Sequence, residues 1–327
     1  MTIVFTICSI NYLAQARTLG DSLRETNPDI RFFIGLVDVL EGVSFDNDYL
    51  PEYPMIEIDK IGIQGFEEMA DRYDITELNT AVKPFYFTYF FKNYPEVENV
   101  IYFDPDIIIF KPLTGLLHSL KKHPAVLTPH INTAIDDRLQ PNELHHLNTG
   151  IYNLGFAAFS RTEKGLEYIK WWEEKLRYEC YIDLCNGLFT DQNWMNFLPV
   201  FVPEMLIEQN PGYNAAYWNL HERSFTNKDG SFFVNEINPL IFFHYSGYDP
   251  AKPDILSKYQ NRFVLSERTD LTALFDIYKN NLLKNGNSYY RKFPCYYIKP
   301  VRVARYQRVR KWLKKPFLYA IDKLETI

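Results

Sequence analysis

Two carboxylates, Asp104 and Asp106, interrupt the run Val100-Ile-Tyr-Phe-Asp-Pro-Asp-Ile-Ile-Ile-Phe110. The flanks are apolar enough to read as one strand, 100–110, buried on both faces. Such a strand does not carry two carboxylates and a proline unless something neutralises and covers them. In an extended segment, residues i and i+2 point to the same side. Both carboxylates can therefore face one divalent cation, and hard cations such as Mg²⁺ or Mn²⁺ take oxygen ligands. A diphosphate would complete the cation's shell. Asp-Pro-Asp is also a common turn sequence, because proline fixes φ and aspartate caps or turns the chain. The metal reading therefore depends on what the surrounding elements bring to the same place.

Those elements alternate between strand and helix. Residues 2–10 read as a strand, and Leu13–Glu25 as a helix with Ala14, Leu19 and Leu23 on one face. Asn27-Pro28-Asp29 ends that helix, and Arg31–Val37 is a second strand finishing at Asp38. This β-α-β start favours a parallel sheet with a right-handed crossover. Further expectations are a short strand at 56–58 and a helix at 66–73. Another helix should run to Phe91, capped by Asn79 or Thr80 with Pro84 in its first turn. Arg161–Tyr178 should form a helix with Leu166, Ile169 and Trp172 inward, and Phe197–Val202 and Leu240–Tyr245 should be short strands. Beyond Asp249 the pattern turns helical and polar. The class is α/β, and such sheets bind ligands at the carboxyl ends of their strands, near a topological switch point. Asp38, Asp104 and Asp106 all fall at such ends, although Asp38 also suits a plain turn.

A chain of 327 residues with 46% hydrophobic residues can bury one large domain or two. No apolar run reaches the length of a membrane span, and the N-terminus reads as a first strand rather than a signal peptide. Four cysteines without metal-type spacing fit a reduced, cytoplasmic protein. Charge is uneven. Residues 284–327 hold 12 Lys/Arg against 2 Asp/Glu, whereas residues 1–283 hold 23 against 39. An acidic body argues against nucleic-acid binding, where the basic stripe lies on the fold itself. The basic end interleaves its charge with aromatics, Tyr289, Tyr290, Phe293, Tyr296, Tyr297, Tyr306, Trp312, Phe317 and Tyr319 among them. That pattern favours peripheral adsorption, through residues 284–323, to the anionic inner face of a membrane. It equally fits a solvated helical face, or a tail docked on the acidic body.

Four more segments stand in order around the acidic pair: Asn11-Tyr12 after the first strand, Lys83 ahead of it, Thr190-Asp-Gln-Asn-Trp-Met-Asn196, and His244-Tyr-Ser-Gly247. Together with Asp104-Pro-Asp106, their order and spacing resemble the nucleotide-sugar glycosyltransferases of the GT-A fold. Within them the match is to the retaining family 8 type, which includes glycogenin and the bacterial lipooligosaccharide galactosyltransferases. The resemblance covers roughly residues 1–255 and implies a GT-A, Rossmann-like domain there. Its sheet would be mixed and mainly parallel, flanked by helices, with 256–327 as a basic helical extension. It implies that Asp104 and Asp106 are the metal-binding DxD pair, with His244 as the third protein ligand to Mn²⁺ or Mg²⁺. An imidazole beside two carboxylates suits Mn²⁺ better than Ca²⁺.

For the donor, a UDP-sugar, the resemblance implies Tyr12 stacking on the base beside Asn11. The family's aspartate just before that pair is missing from Cys8-Ser-Ile10. Lys83 stands where many members have arginine, and keeps the charge without the bidentate fork. Asn153-Leu-Gly155 matches the turn that touches the donor sugar, with Asn148-Thr-Gly150 as a competing match. Gly247 would let backbone approach the phosphates. Lys252 matches the diphosphate lysine, two residues further from His244 than the family pattern. Asp191 would accept hydrogen bonds from the donor sugar and Gln192 would lie on its β face, although Asp191 also suits a helix N-cap. The implied reaction moves a hexose to a glycan or lipid-linked glycan acceptor in bacterial surface polysaccharide synthesis, with retention. A non-catalytic sugar- or nucleotide-sugar-binding protein on the same fold is the alternative. An Asp-x-Asp phosphatase would place its aspartates after the first strand, and a sugar nucleotidyltransferase would want a glycine-rich loop there.

Overall fold

Strand β1 (Thr2–Cys8) sends alternate side chains into two cores. Ile3, Phe5 and Ile7 pack on one face, against the helix Lys83–Asn93. Val4 and Cys8 pack on the other, against the helix Leu13–Thr26. A strand buried on both faces reads as a continuous apolar run, and β1 does. The structure is a computed structural model that describes residues 1–299 and Pro316.

The main sheet has seven strands. From one edge the order is Leu206–Ile207, β6 (Ala125–Leu127), β7 (Phe156–Ser160), β4 (Asn99–Phe103), β1, β2 (Arg31–Leu36) and β3 (Met55–Glu57). All neighbours are parallel except β7, which runs antiparallel to β4 and β6. This is the mixed, mainly parallel sheet flanked by helices that the family resemblance implies. A second sheet pairs Ala215–Ala216 in parallel with Phe242–His244, which runs antiparallel to β5 (Ile107–Ile109). Its outer side covers a third core around Phe225, Phe243, Tyr245 and Phe275.

Several local expectations change. The strand expected at 100–110 is two strands, β4 and β5, belonging to different sheets, with Asp104-Pro105-Asp106 as the joint. Phe197–Val202 is no strand: Leu198–Phe201 is a short helix, with Pro199 in the first-turn position proline prefers. Neither Asn79 nor Thr80 caps the helix that ends at Asn93. Asp74 caps a separate helix, Ile75–Ala81, through a capping box with Glu77, and a new helix starts at Lys83 with Pro84 in its first turn. In the helix Glu163–Tyr178, Ile169 and Trp172 are buried as expected, but Leu166 is exposed.

The chain divides into two compact units, Met1–Tyr297 and Ile298–Ile327. The helices Thr272–Lys284 and Asn287–Tyr290 pack within the first unit, on Leu13–Thr26. Asn285 donates to Thr18 Oγ1 at 3.1 Å, and Gln15 donates to Asn287 Oδ1 at 3.3 Å. Part of the expected membrane-facing aromatic set is used up in this packing. Tyr290 is buried, Tyr289 stacks on Tyr49 with ring centroids 4.3 Å apart, and Phe293 packs against Phe45. Tyr306, Trp312, Phe317 and Tyr319 lie outside the described residues. Among the described residues no helix is long and apolar enough to cross a membrane.

Candidate functional site

Antiparallel pairing of β5 with Phe242–His244 brings the acidic pair and the histidine together. His244 lies opposite Ile107, and the Tyr245 N–H donates to the Asp106 carbonyl at 2.8 Å. Asp104 continues from β4, and its N–H donates to the Gly155 carbonyl at 2.7 Å. The three side chains offer ligand atoms within 4.8 Å of one another. His244 Nε2 is 2.9 Å from Asp106 Oδ1 and 3.6 Å from Asp104 Oδ2. Burial works to lower the His244 pKa, but Asp106 and Asp104 outweigh it and hold the imidazole above its ordinary value. Two carboxylates and an imidazole on a rigid joint fit a divalent cation such as Mn²⁺. The fit has support around it: the Tyr102 hydroxyl donates to Asp104 Oδ1 at 2.5 Å, and such outer contacts orient metal ligands.

Beside this cluster lies a buried ion pair. Lys83 Nζ donates to Asp191 Oδ2 at 2.5 Å and to the Leu154 carbonyl at 2.8 Å, and sits 4.4 Å from the Tyr102 ring centroid. Both residues are almost fully enclosed. Burial pushes the Asp191 carboxyl up, and the Lys83 ammonium pulls it back. Asp191 holds the N-cap position of the short helix Gln192–Met195 but makes no side-chain cap bond; its Oδ2 accepts from Lys83 and its Oδ1 from the Thr190 hydroxyl at 3.3 Å. The Gln192 amide is held at three points. Its Oε1 accepts from Asn153 Nδ2 and the Leu154 N–H, and its Nε2 donates to the Thr149 carbonyl.

The glycines are close-approach positions. A Cβ on Gly155 would lie 2.3 Å from His244 Cε1. Gly150, of the competing Asn148-Thr-Gly150 match, has φ +113 and would meet Gln192 Cβ at 2.7 Å. Gly247, at φ +75, would meet Ser257 Oγ and the Tyr259 ring at 2.6 Å. Each spaces two segments of the site.

The remaining candidates divide. Tyr12 is 45% exposed beside the half-buried Asn11, whose Oδ1 is enclosed and without a partner. Tyr12 is therefore available for stacking. Partial burial raises its hydroxyl pKa and Asp106 raises it further, while Arg291 and Lys258 pull it down. Asp38 is turned inward: it is buried and accepts from the N–H groups of Ile10, Val39 and Tyr296 at 2.8–3.1 Å. It is a brace between strand ends and the 295–297 segment. Lys252 is exposed, and its charge acts on Asp249. Lys258 and Arg291 are cations the motifs missed, because no local pattern announces them. His130, Asn214 and Trp218 were missed for the same reason. Asn214 Nδ2 donates to Asn153 Oδ1 at 3.0 Å, and Trp218 packs edge-on to His244 with ring centroids 5.2 Å apart.

No family model matches the chain. It is similar to two uncharacterized proteins of Bacillus subtilis (strain 168). One is YfnF, 25% identical over 284 residues, covering 85% of this chain and 90% of that one. The other is YfnD, 24% identical over 171 residues, covering 51% and 52%. Among solved structures it is similar to the galactosyltransferase LgtC in complex with donor and acceptor sugar analogs, at TM-score 0.48 and 17% identity, covering 86% of this chain and 95% of that one. It is also similar to the apo-form glycosyltransferase GlyE of Streptococcus pneumoniae TIGR4, at TM-score 0.47 and 17% identity, covering 90% and 65%.

Proposed function

We propose that this chain is a metal-dependent glycosyltransferase that moves a hexose from a UDP-sugar to a glycan or lipid-linked glycan, with retention at the anomeric carbon. The observation that carries the reading is the Asp104–Asp106–His244 cluster, set beside the Lys83–Asp191 pair at the strand ends of an α/β sheet. Asp104, Asp106 and His244 would hold Mn²⁺ or Mg²⁺, which when bound neutralises charge on a departing diphosphate.

The protein's own groups do the rest. Tyr12 offers a face for the base, and the positive charges of Lys258 and Arg291 act on its hydroxyl. Lys83 fixes the Asp191 carboxylate, which accepts from donor-sugar hydroxyls. Gln192, held by Asn153, Leu154 and Thr149, presents its amide to the sugar. Asp191 is tied to Lys83 and residue 193 is asparagine, so neither supplies a free carboxylate nucleophile. We therefore favour front-face attack. The anomeric C–O bond to the phosphate breaks, the acceptor oxygen bonds to the same face, and its proton passes to the leaving phosphate oxygen. The basic sequence beyond residue 284 fits an acceptor presented at an anionic membrane, in assembly of a bacterial surface polysaccharide.

The test is nucleotide release from a panel of nucleotide sugars with Mn²⁺, with Asp106→Asn alongside. Metal-dependent release from one UDP-sugar, lost in the variant, is the expected result. Tight donor binding with no release, even with membrane extracts as acceptor, would reverse the reading in favour of a binding protein.

A further inference from the structure

His130 is not part of any motif, yet it ends a hydrogen-bonded chain that reaches Gln192. The Asn153 amide has a fixed orientation, because its Oδ1 accepts from the Gly155 N–H at 3.2 Å and from Asn214 Nδ2 at 3.0 Å. Its Nδ2 is thus the end facing His130 Nε2 at 3.3 Å and Gln192 Oε1 at 3.4 Å. An amide NH₂ only donates, so His130 Nε2 must accept. The ring proton then sits on Nδ1, which donates to the Ile151 carbonyl at 3.2 Å. Asn219 closes the far side, donating to the carbonyls of His130 and Asn214. Every one of these side chains is buried.

The surroundings keep His130 neutral. His146 stacks on it with ring centroids 4.7 Å apart, and Trp218 packs across it at 5.3 Å. The charges and titratable groups that face the pair are His145 on His130, and His145, Glu143, His221 and Arg262 on His146. Burial, then His146, depresses the His130 pKa well below its ordinary value. A proton on Nε2 would point N–H at N–H and release the Asn153 amide.

We propose that His130, as the neutral Nδ1–H tautomer, is a positioning residue that fixes Asn153 and through it the Gln192 amide on the donor-sugar side of the site. This rests on the nucleotide-sugar reading above. The group it sets should matter for the sugar and not for the nucleotide. His130→Leu should weaken binding of UDP-galactose or UDP-glucose, whichever the wild type takes, about ten-fold or more, and leave UDP within about three-fold. His130→Gln, whose amide oxygen can accept from Asn153, should restore most of the sugar-dependent part. All titrations use the full chain with Mn²⁺.

Nitrogen-15 spectra of the histidine rings at pH 7.5 supply a readout that needs no ligand: His130 should carry its proton on Nδ1. A proton on Nε2 overturns the proposal. So does equal weakening for UDP and UDP-sugar, or none for either, in His130→Leu, where the wild type binds both. Wild-type protein that binds neither ligand overturns the nucleotide-sugar reading itself, and with it the role assigned to His130.

Discussion

Gly155 and His244 are packed so closely that a Cβ on the glycine would lie 2.3 Å from His244 Cε1 and 2.7 Å from Nδ1. Sequence suggested that Gly155 shapes a turn against the donor. Its nearer duty is to leave room for the imidazole. Gly155→Ala must push His244 off the Asp104–Asp106 pair or shift the β7 backbone. Overpacking of this kind costs about 1–3 kcal/mol. The expected result is a modest fall in thermal midpoint with a loss of Mn²⁺ affinity of about ten-fold or more, read by calorimetric titration. Unchanged Mn²⁺ affinity would mean either that the backbone yields and His244 keeps its place, or that His244 is not a ligand; His244→Ala, which should lose the affinity only if His244 is a ligand, separates the two.

That relationship marks the limit of what was legible in the sequence. The buried strands, the first crossover and the acidic pair all follow from runs of a few residues with period-2 or period-3.6 patterning. The pairing of β5 with Phe242–His244 sets His244 beside Asp106, and it joins segments far apart in sequence. Order of motifs hinted at it only through family likeness. Asp38 shows the opposite case. It sits at a strand end, as a ligand-binding residue would, but the Tyr296 N–H, 258 residues away, occupies its carboxylate. Lys258 and Arg291 carried no signal, because a cation gains meaning only from what folding places beside it.

Acid should unfold this protein through its buried histidines. Burial, with His145, holds the His146 pKa at about 4 against an ordinary 6.5. The unfolded chain therefore takes the proton first. Stability is intact above about pH 6.5 and falls as pH drops from there towards about 4. A gap of this size is worth on the order of 3 kcal/mol. His146→Phe keeps a ring against His130 and removes the titration. Urea unfolding from pH 8 to 4.5 should show a shallower loss in the variant than in wild type. Parallel curves would assign the acid loss to other groups.

If the basic C-terminal sequence adsorbs to membranes, the full chain should sediment with vesicles containing phosphatidylglycerol and not with neutral ones. Binding should weaken as salt rises from 50 to 300 mM, because surface attraction is screened within about 10 Å. Replacing Arg302, Arg305, Arg308 and Arg310 with glutamate should abolish it and leave donor turnover with a soluble acceptor intact. Salt-independent sedimentation would count against an electrostatic mode.

Lys83 and Asp191 should be far worse apart than absent together. Removing one partner of a buried pair strands the other charge, at a cost of about 3–5 kcal/mol. Lys83→Met and Asp191→Leu should each lower the urea midpoint sharply. The double variant should recover much of that loss, since two apolar side chains fill the enclosed space without an unpaired charge. Activity should not recover in the double variant, because the carboxylate that meets the sugar is gone. A double-mutant cycle on both stability and turnover therefore separates the pair's two duties. Additive losses in stability would mean that the 2.5 Å contact contributes nothing to folding. Recovered turnover would mean that Asp191 never touches the donor.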